Sequence, residues 1–121
     1  CFKLPKSTDE EKAARSAAIQ EATRFAALVP MQVARNACEL MEIIADVARL
    51  GNQNAITDAC VAMMAARSAV LGALLNVRIN LGSLKDKTFV DELKREADHL
   101  EQLACMREKE LLEVVNQELN Q

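Results

Sequence analysis

Tryptophan and tyrosine are absent from this chain of 121 residues, and only three Phe, three Gly, two Pro and one His occur. So few aromatics and turn formers disfavour a β-sandwich, a collagen-like repeat and an aromatic platform for single-stranded nucleic acid. Basic charge is short as well. Fifteen Lys and Arg against 18 Asp and Glu give a net charge of −3 and a pI near 5.2, so no positive field awaits a phosphate backbone, and nucleic acid is not an expected partner. Long uncharged apolar runs are missing too: the longest, Ala69 to Val77, contains Asn76 and lies between Arg67 and Arg78. That falls short of the ~20 residues a bilayer-spanning helix needs, so no membrane partner is expected. Cys1, Cys38, Cys60 and Cys105 form no C-x-x-C pair, and three of them sit in apolar helical patterns. Reduced packing thiols in a cytoplasmic protein are therefore expected over disulfides. With His99 alone and no thiol cluster, no metal site is expected. The chain opens Cys1-Phe2-Lys3-Leu4-Pro5, with neither an initiator Met nor an apolar run. This reads as part of a longer polypeptide without a signal peptide.

What is present argues helix: twenty Ala, and a charged fraction of 27%. The expected fold is all-α, an up-and-down bundle of about four long helices with a buried Ala-rich central helix, forming one domain over residues 1–121. Ser7 and Thr8 precede Glu10 and Glu11 at capping-box spacing. They open a first helix to about Leu28, before Pro30, with a narrow apolar face of Ala14, Ala18, Ala22, Phe25 and Val29. A second helix, Met31 to Leu50, carries Val33, Ala34, Ala37, Cys38, Met41, Ile44, Ala45 and Ala48, with Gly51 as its left-handed C-terminal cap. Residues 51–54 read as a loop. Thr57, or the residues just before it, starts a third helix through Leu81, apolar on nearly every side, and Gly82 stops it. Asp86 or Thr88 caps a fourth, with Val90, Leu93, Ala97, Leu100, Ala104 and Leu111 on one stripe.

The helix ending at Leu81 carries the chemistry-bearing pattern. At 100° per residue, Asp58, Ala62, Ala65, Ala69, Gly72 and Asn76 fall within about 40° of one direction, followed by Asn80. Such a stripe lets another helix backbone approach closely, or leaves room for a flat ligand. Asp58 and Asn76 lie about 27 Å apart at 1.5 Å per residue, so they cannot serve one reacting atom within one protomer. An antiparallel pairing with a symmetry mate would bring them together. Arg67 and Arg78 face about 180–200° away from Asp58, towards ion pairs with a neighbouring helix or, alternatively, an anionic substrate tail. Asn76 and Asn80, a turn apart in an apolar helix, need backbone, water, a partner chain or a ligand to satisfy their amides. Met63 and Met64 are read as core, Glu108-Lys109-Glu110 as a solvated face, and His99 as exposed.

The residues Gly51-Asn52, Thr57-Asp58, Val61-Ala62, Gly72-Ala73, Asn76-Val77 and Ile79-Asn80-Leu81, followed by Asp86 and Phe89, resemble the C-terminal half of the formiminotransferase-cyclodeaminase / methenyltetrahydrofolate cyclohydrolase family. Leu4-Pro5-Lys6, Glu10 to Ala14 and Val29-Pro30 are similar to the segment before it. The resemblance implies an all-α homodimeric enzyme of one-carbon tetrahydrofolates, with no cofactor beyond that substrate. Its leading implication is a cyclodeaminase that converts 5-formiminotetrahydrofolate to 5,10-methenyltetrahydrofolate and ammonia. A cyclohydrolase, or a non-catalytic dimerisation module, is the alternative. On this reading Asp58 is the catalytic candidate for proton transfer, and Asn52, Gly72, Asn76 and Asn80 are substrate-binding candidates. Near a helix start, the Asp58 carboxylate would have its ionised form favoured by the helix dipole, with helix capping as its alternative role. The family's N-terminal helices, with their Pro-Gly-Gly-Gly-Ser-like motif, have no counterpart among these residues.

Overall fold

A computed structural model describes residues 8–51 and 53–120. Three helices account for nearly all of them: α1 (Asp9–Leu50), α2 (Gln53–Leu81) and α3 (Lys87–Leu119), with no strand among the described residues. The all-helical expectation holds, and the helix count is corrected from about four to three because Pro30 lies inside α1 without ending it. Proline removes one helical N–H and crowds the carbonyl four residues back. Here the carbonyl left without its helical donor, that of Ala26, takes the side-chain amide of Asn80 instead.

The starts of α1 and α3 follow the local chemistry. Thr8 Oγ1 accepts from the Glu11 N–H at 3.0 Å while Glu11 accepts from the Thr8 N–H at 3.3 Å, a reciprocal capping box. Ser7 lies outside the described residues. Asp86, rather than Thr88, caps α3 by accepting from the Phe89 N–H at 3.1 Å. Gly51 corrects the expected left-handed cap: its φ of −79° and ψ of 171° are extended. What requires glycine there is proximity, since an added Cβ would lie 2.8 Å from the Val47 carbonyl oxygen.

Cross-helix pairs fix an up-down-up order. Arg35 meets Glu96 and Arg107 meets Glu42, so α1 and α3 run parallel. Arg67 meets Glu108 and Arg78 meets Asp98 and Glu101, so α2 runs antiparallel to α3. The α2–α3 turn is held by Gln20 of α1, whose amide donates to the Ser83 carbonyl and accepts from the Lys85 N–H. The core gathers Ala27, Met31, Ala34 and Met41 of α1, Met63, Val70, Leu74 and Val77 of α2, and Leu93, Ala97 and Ala104 of α3.

Burial expectations change on both α1 and α2. The α1 stripe Ala14, Ala18, Ala22, Phe25 and Val29 is not a core face: Phe25 and Val29 are exposed, because the unbroken helix keeps the phase set by Ala27 and Met31, about 180° away. Val33 is likewise exposed. The central helix α2 is buried on one side only. Ala59, Met63 and Val70 face the core while Ala62, Ala65, Ala69 and Gly72 stand on the open side. Met64 is also exposed, unlike the core residue Met63. By length and composition Gln53–Leu81 could cross a membrane, which corrects the shorter run counted from the sequence. Its Arg67 and Arg78, however, are engaged by carboxylates of α3, as suits a helix of a bundle.

Candidate functional site

Where α1 passes α2 near Pro30, a groove of about 540 Å³ opens, lined by Ala26, Val29, Pro30 and Val33 on one wall and Ala69, Ala73 and Asn76 on the other. That volume lies within the range of small-molecule sites. The small residues at 69 and 73 keep the α2 wall low, and Pro30 belongs to the apolar wall opposite. Asn76 is the one hydrogen-bonding side chain of the lining. Its amide nitrogen makes a single contact, to the Gly72 carbonyl at 3.5 Å, so it retains capacity for a ligand.

Asn80 is different. Its amide nitrogen donates to the Asn76 carbonyl at 2.8 Å and to the Ala26 carbonyl at 3.4 Å, which joins α2 to α1 at the end of the groove. Gly72 is exposed beside the groove, and a Cβ there would meet nothing within 4 Å. Asp58 is also exposed, about 27 Å along α2 from Asn76, so the two are not brought together within the chain. It sits inside α2, which starts at Gln53, and is therefore not the cap of that helix. Asn52 lies outside the described residues. The α1 wall is not signalled by the α2 pattern; a proline between Val29 and Met31 within a helical pattern is the available signal.

The remaining charges are committed elsewhere. Arg67 bonds Glu108 at 2.6 Å and Arg78 bonds Glu101 at 2.9 Å and Asp98 at 3.1 Å, which meets the expectation of ion pairs with a neighbouring helix. The Glu101 bond, reinforced by Asp98, raises the Arg78 pKa. Arg35 grips both oxygens of Glu96 at 2.6 Å and holds that carboxyl below its ordinary range. Cys38 and Cys60 are buried free thiols, as expected, and burial pushes the Cys38 thiol up. Cys105 is free but exposed, and Cys1 lies outside the described residues. His99 is exposed, as expected.

An all-helical chain with a low-walled groove on a small-residue helix is the class that fold and geometry define. Residues 1–99 match the family described as formiminotransferase-cyclodeaminase, and the chain belongs to that family. It is 40% identical over 119 residues to a methenyltetrahydrofolate cyclohydrolase of Methylorubrum extorquens, covering 98% of this chain and 57% of that protein. It is 36% identical over 103 residues to the formimidoyltransferase-cyclodeaminase of Rattus norvegicus and 37% to that of Sus scrofa, in each case 85% of this chain and 19% of the relative. The chain thus spans only part of the length of the relatives it matches.

Proposed function

We propose that the protein acts on a one-carbon tetrahydrofolate bound along the α1–α2 groove. The observation that carries this reading is the Asn76 amide, with spare hydrogen-bonding capacity, in a wall otherwise apolar and low. Apolar walls suit the face of a fused ring, and one amide supplies a directional contact to its polar edge. Family membership supports the substrate class.

Two reactions meet at the methenyl carbon. In the cyclodeaminase reading, N10 of 5-formiminotetrahydrofolate attacks the formimino carbon and loses its proton. The bond from that carbon to the exocyclic nitrogen then breaks, and protonation of that nitrogen releases ammonia. In the cyclohydrolase reading, water adds to the methenyl carbon and the ring opens to the 10-formyl compound. The whole-chain likeness to a relative named for the second reaction gives it support at least equal to the first. Both reactions need a proton acceptor, assigned here to Asp58, and neither calls for a cofactor beyond the folate.

Asp58 reaches an Asn76 site only if two copies pair with their α2 helices antiparallel. The reading therefore includes a homodimer of cytoplasmic location with shared sites. Its support is the open side of α2, where Ala65, Ala69 and Gly72 permit close approach and Leu75 and Ile79 are 67% and 75% exposed. The test is to supply the full-length protein with each folate in turn and follow methenyl absorbance together with ammonia. Absorbance gained with ammonia assigns the cyclodeaminase, and absorbance lost without it assigns the cyclohydrolase. No turnover and no folate binding by intact dimer would leave a dimerisation module.

A further inference from the structure

The two asparagines at the groove have separate work, and we infer that Asn80 is a positioning residue that replaces the helical hydrogen bond Pro30 deletes, thereby fixing the groove wall on which Asn76 meets the ligand. Pro30 has no N–H, so the Ala26 carbonyl, four residues back, loses its helical donor. Ala26 is exposed on the open groove, so without another donor its carbonyl is left to solvent instead of being tied to the protein. Asn80 supplies the donor from the neighbouring helix, at 3.4 Å.

The same amide nitrogen also holds the Asn76 carbonyl, at 2.8 Å. One side chain thus ties the α1 wall, at Ala26, to the α2 backbone that carries the ligand-facing Asn76. Two consequences follow from the donor inventory of an asparagine. Both hydrogens of the Asn80 amide are committed, so its nitrogen has none left for a ligand, whereas the Asn76 amide has one. Removal of Asn80 should loosen the groove rather than delete a ligand contact, and the loss should depend on whether residue 30 is proline.

That dependence is the test. Asn80→Ala, Pro30→Ala and the double variant are made in the full-length protein, and thermal unfolding is measured alongside KM and kcat with 5,10-methenyltetrahydrofolate. Only the kinetic arm rests on the folate reading. With proline at 30, Asn80→Ala should lower Tm by roughly 2–4 °C, the equivalent of one hydrogen bond. It should raise KM about fivefold with kcat within about twofold. With alanine at 30, whose N–H restores the helical bond, both penalties should fall by more than half. Equal penalties in the two backgrounds would overturn the inference, as would a KM loss with no change in Tm, which marks a direct ligand contact. Coupled Tm changes in a protein that turns over no folate would uphold the tie and remove the folate reading. Should Asn80→Ala not fold, hydrogen exchange of side-chain amides in the wild-type protein decides. Asn80 should be protected relative to Asn76, and equal exchange would overturn the assignment.

Discussion

Glu96 takes both of its bonds to Arg35 from one guanidinium, and that pairing holds its carboxyl below the ordinary value of 4.5. A carboxyl with a lower pKa folded than unfolded stabilises the fold fully above the unfolded value and loses that contribution as pH falls through the folded one. Tm should therefore drop on acidification from about pH 5 to 3, and Glu96→Gln should flatten that part of the curve; an unchanged slope would show that the pair contributes nothing. Gly51→Ala should cost about 1–3 kcal/mol by thermal or denaturant unfolding, because the new methyl meets the Val47 carbonyl at 2.8 Å. The need for glycine at 51 was legible in the sequence, but its reason was not: a close approach to a carbonyl leaves no signal that distinguishes it from a left-handed cap. Thr8 and Asp86 were legible because a cap and its target lie three residues apart. The sequence itself shows that Asn80, in an apolar helix, needs a partner. That the partner is Ala26, 54 residues away, follows only from the packing of α1 on α2.

Among the elements, α1 departs furthest from its pattern. Read locally, Pro30 separates two helices with independent apolar faces. In the structure one helix runs through it, and the phase of Met31, Ala34, Cys38 and Met41 extends back to Ala27 and turns Phe25 and Val29 outward. A proline's cost of ~3 kcal/mol in a helix is decided by tertiary contacts as well as by local geometry, and those contacts are not written in the surrounding ten residues. The α3 pattern was read correctly, since Leu93, Ala97, Leu100, Ala104 and Leu111 are all buried. Its start permits a clean test. Asp86→Ala removes the cap on Phe89 together with the ion pair to Arg24, and should lower stability by about 1 kcal/mol. Asp86→Asn keeps the cap and should restore nearly all of it, because the ion pair spans 3.6 Å between half-exposed groups. Equal losses in the two variants would shift the credit to the ion pair.

For the whole molecule, the open side of α2 decides what the small-residue stripe is for. A Cβ at position 72 meets no atom within 4 Å in a single chain and the residue is exposed, so with Gly72→Leu the Tm of the isolated chain should hold or rise with the better helix former. In an assembly that uses this face, the same change should shift the sedimenting species to the monomer and abolish folate turnover. An assembly unaffected by Gly72→Leu would rule out pairing through α2. Mixing an Asp58→Ala chain with an Asn76→Ala chain should then restore about one working site per dimer if the two-fold pairing shares its sites, and none if each site belongs to one chain. The ion pairs of Arg35, Arg67, Arg78 and Arg107 all reach or start from α3 or the α1 edge beside it. The opposite face, from Phe25, Val29 and Val33 across to Val61, Leu75 and Ile79, carries only exposed apolar side chains at those positions. Cross-helix ion pairs thus gather on one side of the molecule, and self-association through the other buries mostly apolar surface, with few charges to screen beyond Asp58 and Glu21. Sodium chloride should leave the association constant nearly flat where a charged interface would weaken, and sulfate, by raising the cost of wetting apolar surface, should tighten it.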